Sequence, residues 1–372
     1  MVETRSRSTR RGATTLRIRA AQSGRAAIVR GATAFVDGYL EALRTLQPGD
    51  VGRAPCLAYG RGAVAYTLLK ASLLRGDRTL LAAARRWAAV SLRSARRSHV
   101  WQWPKASFSR GLTGLHALQA LAAHAGNDHA ACRRELRRFV ESSRRGRGSI
   151  ELFQGMAGRL AGAGIVLRRI PDPAVRALGD DLAARILAAL EARGPRPAPL
   201  GRGVVHGWPG VVLSVLAWQA VSRSLPEDAL RRAVLTAHPY DVASPYFRWQ
   251  VDWAHGHAGM AQLFARAYGQ LGDRRFLAWA RQAAARASVQ PLRGGGLLDG
   301  NLGIAYAMLA VAAVDPAGPW RDVAWTLAGH VLASADLPEH HPYGLWYGLG
   351  GVCCLALDLL HETDGAFPGI EA

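Results

Sequence analysis

The chain has 372 residues, of which 49% are hydrophobic, and a formal net charge of +20. No stretch of about 18 apolar residues is free of charges and helix breakers, which predicts that no segment spans a membrane. Only four cysteines are present and two of them are adjacent, which excludes a disulfide framework and leads us to expect a reducing, cytoplasmic compartment.

The positive charge comes almost entirely from arginine. Of the 47 basic residues, only Lys70 and Lys105 are lysine, which leaves 45 arginines. Arginine pairs are scattered over the predicted outer helices, without aromatic residues between them that could stack on bases, and this pattern disfavours a nucleic-acid partner. A basic surface of this kind would attract an acidic peptide through long-range electrostatics.

The chain begins with an arginine-rich segment, residues 1–25. It has no apolar run before its arginines, which argues against a signal peptide. It also lacks apolar periodicity, so we expect it to be poorly ordered. The remainder, residues 26–372, is predicted to form one domain.

A short motif then recurs seven times, a glycine followed closely by a second glycine and a strongly apolar helix. The copies are YGRGAVAY from Tyr59, SRGLTGLHAL from Ser109, FQGMAGRLAG from Phe153, VHGWPGVVLS from Val205, AHGHAGMAQL from Ala254, DGNLGIAYAM from Asp299 and YGLGGVCCLA from Tyr347. The leading glycines, spaced by 51, 44, 52, 49, 44 and 48 residues, are Gly60, Gly111, Gly155, Gly207, Gly256, Gly300 and Gly348. Near-equal periods of this length are typical of repeat architectures.

Each period is predicted to hold two helices. The first starts at the motif and is apolar on all sides, as in residues 211–221 and 304–311, so it must be buried all round. The second is amphipathic, with one apolar stripe formed by Leu178, Leu182, Ile186 and Leu190. Strand signals are nearly absent. The pattern predicts an all-α fold, an α/α toroid in which seven helical hairpins form a double-layered ring. An open solenoid, the alternative, would leave the inner helices exposed on one face.

The predicted ring places the start of every inner helix at one end. The motif glycines allow close approach of neighbouring backbone at these starts. Helix N-termini carry partial positive charge, so we expect this end to favour a site where negative charge develops.

At these motifs the chain resembles the lanthionine synthetase C-like family, from about Tyr59 to Leu360. GVVHGWPG, residues 203–210, is similar to the family's Ala-His-Gly-x-Pro-Gly segment. ELFQGMAG, residues 151–158, is similar to its Glu/Asp-Leu-x-x-Gly-x-Ala-Gly segment. VDWAHGHAG, residues 251–259, lies where the family has Trp-Cys-x-Gly-x-x-Gly.

The resemblance implies addition of a peptide cysteine thiol to dehydroalanine or dehydrobutyrine, which closes a thioether ring. In the family a zinc ion held by two cysteines and a histidine usually makes the thiolate. Those ligand positions fall at Ala254, Leu298 and Asp299, so we expect no metal or other cofactor. A makeshift site from His255, His257 and Asp299 is the alternative.

The resemblance also implies partners. Zinc-free cyclase domains of this family are usually fused to a kinase and a lyase, and neither is evident in this chain. We therefore expect a precursor peptide, for which an acidic leader would match the basic surface, and separate dehydrating enzymes of the kinase and lyase type.

The candidate catalytic residues follow from the same motifs. His206 matches the family's acid/base histidine, and imidazole suits proton transfer to an enolate near neutral pH. His255 holds the same place in the fifth repeat and is the second such candidate. Glu151 matches the family's acidic residue, with a structural hydrogen bond as the equal alternative. Arg248 lies two residues upstream of the family's arginine, and it either stabilises enolate oxygen or pairs with Asp252 in a loop.

Two other functions remain open. Asp252 and Asp299 precede glycines of adjacent repeats, and two converging carboxylates would also fit a glycosidase. Aromatic candidates for substrate binding, which in a glycosidase would line the sugar cleft, are Trp208, Trp253 and Tyr347, with Trp249 and Trp346 beside them. His257 is either a further substrate contact or structural. Loss of the zinc ligands favours the third hypothesis, a non-catalytic scaffold that binds a precursor peptide or partner enzymes.

Overall fold

The structure is a computed structural model that describes residues 6–51, 54–97, 106–146, 149–192, 203–241, 250–289, 294–333 and 342–371, with residues 6–23 and 238–241 described as backbone only. In these residues the chain forms fifteen helices and no strand. The helices are α1 (Ser6–Thr45), α2 (Arg61–Arg75), α3 (Arg78–Arg97), α4 (Leu112–Ala125), α5 (His129–Arg144), α6 (Met156–Arg169), α7 (Pro173–Ala192), α8 (Gly203–His206), α9 (Trp208–Ser222), α10 (Glu227–Asp241), α11 (His257–Leu271), α12 (Arg274–Ala287), α13 (Asn301–Val314), α14 (Trp320–Ala333) and α15 (Leu349–Leu360). Among the described residues, none of these helices combines the length and apolarity needed to cross a bilayer.

The helices form two layers. The inner layer consists of α2, α4, α6, α9, α11, α13 and α15, and each of them begins directly after a motif glycine. In α13 every residue from Asn301 to Ala312 is buried, whereas the outer helix α12 buries one stripe that includes Phe276, Ala280 and Ala284. This confirms the predicted α/α toroid, because all-round apolarity marks the inner helices and a one-sided stripe marks the outer ones.

The ring closes between the last and first repeats. The backbone N–H groups of Leu345 and Trp346 donate to the carbonyl oxygen of Ala58, at 3.0 and 3.2 Å. This contact rules out the open solenoid.

The outer partner of α15 comes from the opposite end of the chain. The helix α1 buries Val36, Leu40 and Leu43, and Arg25 near its middle pairs with Asp322 of α14 at 3.3 Å. No sequence pattern predicted this role for α1. For most of residues 1–25 the structure describes no side chains, so the expected disorder of this segment stays a prediction.

The inner helices begin without side-chain caps. Instead, the first helical N–H groups donate to carbonyls seven residues earlier, as from Met156 to Ser149 and from His257 to Gln250, both at 3.0 Å. The preceding loop thus satisfies donors that a helix N-terminus otherwise leaves open. The first N–H donors at this end are therefore already bound within the protein in these repeats.

The segment after α15 turns back into the centre of the ring. Phe367 stacks on Trp253 with ring centroids 4.0 Å apart, and Ile370 is buried. The Glu371 carboxylate accepts hydrogen bonds from Gln262 at 2.6 Å and from Arg266 at 2.8 Å. We call residues 363–371 the tail; it fills the bore that the inner helices enclose.

Candidate active site

Seven side chains surround the end of the ring at which the inner helices begin, which we call the mouth. In every repeat the residue just before the leading glycine is partly or fully exposed, while the residues on either side of it are buried. These mouth residues are Tyr59, Arg110, Gln154, His206, His255, Asp299 and Tyr347. The repeat therefore presents one side chain per hairpin to solvent at a common level.

Backbone hydrogen bonds between neighbouring loops fix the spacing of this set. The N–H of Val205 donates to the carbonyl of Ala254 at 3.2 Å, and the N–H of Ala254 donates to that of Leu298 at 2.8 Å. Each of these three residues directly precedes a mouth residue: His206, His255 and Asp299. The loops that carry these three side chains are thereby linked side by side.

His206 is held by Glu151. Its Nδ1 lies 3.1 Å from Glu151 Oε2, and the same carboxylate accepts the N–H groups of Phe153 at 2.9 Å and Gln154 at 2.6 Å. Glu151 thus makes structural hydrogen bonds within its own loop and also contacts His206; its catalytic role stays a prediction. An ionised carboxylate only accepts hydrogen bonds, so Nδ1 is the donor, and in neutral His206 the lone pair resides on Nε2. The His206 side chain is 48% exposed, which leaves Nε2 accessible from the mouth.

His255, Asp252 and Asp299 form a second charged group. Asp252 Oδ1 accepts the backbone N–H of His255 at 2.7 Å and lies 3.5 Å from His255 Nδ1. Hydrogen bonding to Asp252 raises the pKa of His255. Desolvation raises the pKa of Asp299, and the negative charge of Asp252 adds to this rise. Both shifts favour the protonated forms of these two side chains.

The opposite side of the mouth combines a cation with aromatic rings. The Arg110 guanidinium lies 4.0 Å from the Phe153 ring centroid and 4.8 Å from that of Tyr59, and it donates to the Tyr59 hydroxyl. Tyr59 in turn stacks on Tyr347 at 5.7 Å. Burial raises the pKa of Tyr347 to about 12, so this phenol is neutral at physiological pH. Phe153 also touches His206 edge-on at 5.5 Å, which places the arginine one ring away from the histidine.

Tyr59 and Arg110 were not among the predicted site residues. The signal that identifies them is their position before the leading glycine, the place that also identified His206 and His255.

Several predicted substrate contacts lie elsewhere. Tyr347 is at the mouth, but Trp208 and Trp253 are buried, at 4% and 0% exposure, and support the floor beneath it. The Trp253 indole N–H donates to Gln262 at 2.6 Å. His257 is also buried, and desolvation lowers its pKa to about 4. Trp346 is buried as well. Arg248 and Trp249 lie outside the described residues, so the proposed contact of Arg248 with Asp252 stays a prediction.

The donor set does not fit the family's zinc site. Ala254 and Leu298 are buried apolar side chains, so Asp299 alone offers a ligand atom at the three family positions. Within the described ranges, no group of three or more His, Cys, Asp or Glu side chains is placed to hold a metal ion. The makeshift set of His255, His257 and Asp299 is therefore not grouped in this way. All four cysteines are buried, and burial raises the pKa of Cys56 to about 11.

Comparisons with known proteins agree with this architecture. A family model described as lanthionine synthetase C-like protein matches residues 55–372. LanC-like protein GCL1 of Arabidopsis thaliana is 32% identical over 133 residues, an alignment that covers 32% of this chain and only 30% of that relative. The solved structure of nisin cyclase is similar with a TM-score of 0.65 at 13% identity, covering 90% of this chain and 95% of that one. At this identity, the likeness to nisin cyclase establishes a shared fold.

Proposed function

The chain belongs to the lanthionine synthetase C-like family, and from this premise we propose that it is a cyclase that closes thioether rings in a dehydrated precursor peptide without a metal ion. The observation that carries the proposal is the pair of His206 and Glu151, 3.1 Å apart at an accessible mouth. A base of this kind is what thiol addition needs when no metal makes the thiolate.

The reaction needs one proton removed and one proton returned. His206 Nε2 takes the proton of the peptide thiol, and Glu151 stabilises the imidazolium through Nδ1. The sulfur then forms a bond to the β-carbon of the dehydro residue, and the electron pair of the carbon–carbon double bond moves into an enolate. Protonation of the α-carbon by the His206 imidazolium completes the thioether and restores the neutral base. If His255 donates this proton instead, His255 regains a proton from solvent and His206 releases its own proton to solvent before the next turnover.

Charge stabilisation and positioning supply the rest of the acceleration. Negative charge develops on the enolate oxygen, and Arg110 is a fixed cation beside the His206 side of the mouth. Holding a thiol against an acceptor in the same peptide gives effective molarities on the order of 10⁵ M or more in well-oriented cases. The precursor peptide and the separate dehydrating enzymes remain part of this proposal.

Replacing His206 tests the proposal. His206→Ala removes the base, so we expect ring closure to slow by about 10²- to 10⁴-fold, with peptide affinity nearly unchanged. The assay follows alkylation of free thiols in a pre-dehydrated partner peptide by mass spectrometry over time. The matched control is His330→Ala, which removes an exposed histidine of the outer helix α14 and should leave the rate unchanged. The cyclase proposal fails if wild type and His206→Ala close rings no faster than buffer while both bind the peptide.

A non-catalytic scaffold is the second candidate. The apolar side chains of Ala254 and Leu298 favour it, because they remove the family's usual means of activating a thiol. The glycosidase has less support, since Trp208, Trp253 and Trp346 are buried rather than exposed in a cleft, and Asp252 is engaged with His255.

A further inference from the structure

A large cavity opens at the end of the ring opposite the mouth. It has a volume of about 560 Å³ and lies among the last turns of α2, α4 and α6 and the tail. Cavities of this size are typical of ligand sites. We call it the far cavity; nothing in the proposed chemistry uses it.

One part of the wall of the far cavity is apolar. It is formed by the leucine and isoleucine side chains Leu69, Leu73, Leu74, Leu121 and Ile165. Leu73 is 44% exposed, and among the described residues only one other large hydrophobic side chain, Val289, is exposed. Apolar surface left open beside a cavity favours a partner that buries it.

Basic side chains lie beside the same apolar part of the far cavity. Arg168 and Arg169 end α6, His124 lies in the last turn of α4, and all three line the far cavity or its rim. Within the described part of the chain, none of the three has a side-chain hydrogen bond or ion pair. Lys70, in contrast, is paired with Asp358 at 2.7 Å. The two arginines also complement the C-terminal end of α6, but that role does not require the apolar wall beside them.

The tail shows that this end of the ring accommodates a peptide carboxylate. The apolar tail residues Phe367 and Ile370 are buried in the bore, with Ile370 under the mouth. The Glu371 carboxylate that follows borders the far cavity and is bound by Arg266 and Gln262. The tail also lines that cavity, through Asp364 and Glu371 among others.

We propose that the far cavity binds an apolar and acidic peptide segment, with aliphatic side chains against Leu73 and carboxylates on Arg168 and Arg169. The inference rests on the proposed function only in taking a peptide as the partner. A second attachment point away from the mouth would raise the local concentration of the reacting segment there, as linked binding sites do.

The test measures binding alone, without ring closure. The probe is a fluorescein-labelled synthetic peptide that alternates pairs of leucine with pairs of glutamate, titrated with full-length protein by fluorescence anisotropy. The double variant Arg168→Glu/Arg169→Glu should weaken binding by about tenfold or more, because it places like charges against the carboxylates. The matched control is Arg96→Glu/Arg97→Glu, which makes the same charge change on an exposed pair at the end of α3 and should bind within about twofold of wild type.

A second variant tests the contribution of the apolar side chains separately from that of the arginines. Leu73→Asp, at an exposed position, should also weaken binding by about tenfold or more. His206→Ala should bind the probe like wild type, so failure of catalysis and failure of this site are distinguishable. Equal binding by Arg168→Glu/Arg169→Glu and wild type, or an equal loss in the Arg96→Glu/Arg97→Glu control, would overturn the proposal. A probe that is not displaced by excess unlabelled peptide binds through its label, and this result would also overturn the proposal.

Discussion

His206 and His255 occupy equivalent places in consecutive repeats, yet their surroundings prepare them for different tasks. Glu151 fixes one ring nitrogen of His206, while Asp252 lies 3.5 Å from His255 Nδ1 and also binds its backbone N–H. His206 is therefore arranged as a base with its lone pair on Nε2. His255, whose pKa is raised by Asp252, is arranged to stay protonated to higher pH.

The difference predicts how His255 titrates. By NMR of the imidazole ring, the pKa of His255 should lie above its ordinary value of 6.5, and Asp252→Asn should move it back down. Since the folded-state pKa is raised, the pair stabilises the fold fully below the unfolded pKa and loses this contribution as pH rises through the folded pKa. The side chain is 44% exposed, so the stabilisation should be small. An unchanged His255 titration in Asp252→Asn would contradict this assignment.

The residues at the family's zinc positions predict a metal-free protein. Ala254 and Leu298 supply no ligand atom, and the carboxylate of Asp299 by itself is a poor zinc site. Elemental analysis of protein purified without chelator should find far less than one zinc per chain, and ring closure should be unaffected by EDTA. About one zinc per chain that is lost in His255→Ala would contradict the prediction and revive the makeshift site.

The sequence located individual site residues only where a motif marked them. His206 and Glu151 were chosen as candidates because both occur in recognisable segments, and in the structure these two side chains lie 3.1 Å apart at the mouth. Trp253 was assigned to substrate binding as one of the aromatic residues near the motifs, but exposure in the entry loops alternates within a few residues. Composition cannot tell which neighbour faces the core, and the indole is buried against Phe367 of the distant tail.

At the level of elements, the second motif glycine explains how loop and inner helix fit together. In all seven repeats, a Cβ on this glycine would collide with backbone of the residue six positions earlier, as at Gly303 against Leu297 and Gly210 against Val204. The side chain is excluded by close backbone approach and not by the value of φ. The recurrence of glycine in the sequence therefore reports a packing contact that supports the mouth loops.

Alanine substitutions test this contact directly. Gly303→Ala should destabilise the protein by about 1–3 kcal/mol or more, because the added methyl overlaps a backbone carbonyl that cannot move freely. Gly38→Ala is the matched control: this residue lies within α1, nothing is within 4 Å of an added Cβ, and the change should stabilise the helix by about 0.5–1 kcal/mol. Chemical denaturation of both variants provides the comparison. Equal stability of Gly303→Ala and wild type would refute the packing role.

The helix α1 shows the limit of periodicity as a guide to elements. The repeats predicted an inner helix followed by an outer one, which leaves α15 without a following partner. The missing outer helix is α1, whose buried Val36, Leu40 and Leu43 lie outside the repeat. No local signal connects residues at opposite ends of a chain, so this pairing could not be read from the sequence.

At the level of the whole molecule, the sequence repeat explains why the helices form a ring, and the tail fills the space inside that ring. Seven near-equal periods were sufficient to predict a closed double layer, since apolar inner helices need cover on all sides. The tail has no periodicity, and its place in the bore depends on contacts with several inner helices at once. Those contacts join the two ends of the ring: Gly369 and Ile370 lie under the mouth, whereas Asp364 and Glu371 border the far cavity.

The tail should therefore be important for both stability and the geometry of the mouth. Glu371→Ala leaves the buried Gln262 and the Arg266 guanidinium without their carboxylate partner, and breaking a buried pair in this way costs about 3–5 kcal/mol. Gln262 also binds the Trp253 indole, which precedes Ala254 and His255 in the mouth loop. We thus expect a lower Tm together with a shift of the His255 ring signals in the NMR spectrum. Asp364→Ala, which removes an exposed carboxylate of the same tail, should change neither by a comparable amount. If the Tm falls while the His255 signals do not shift, the tail stabilises the protein but does not shape the mouth. An unchanged Tm would show that the hydrogen bonds of Glu371 do not hold the tail in the bore.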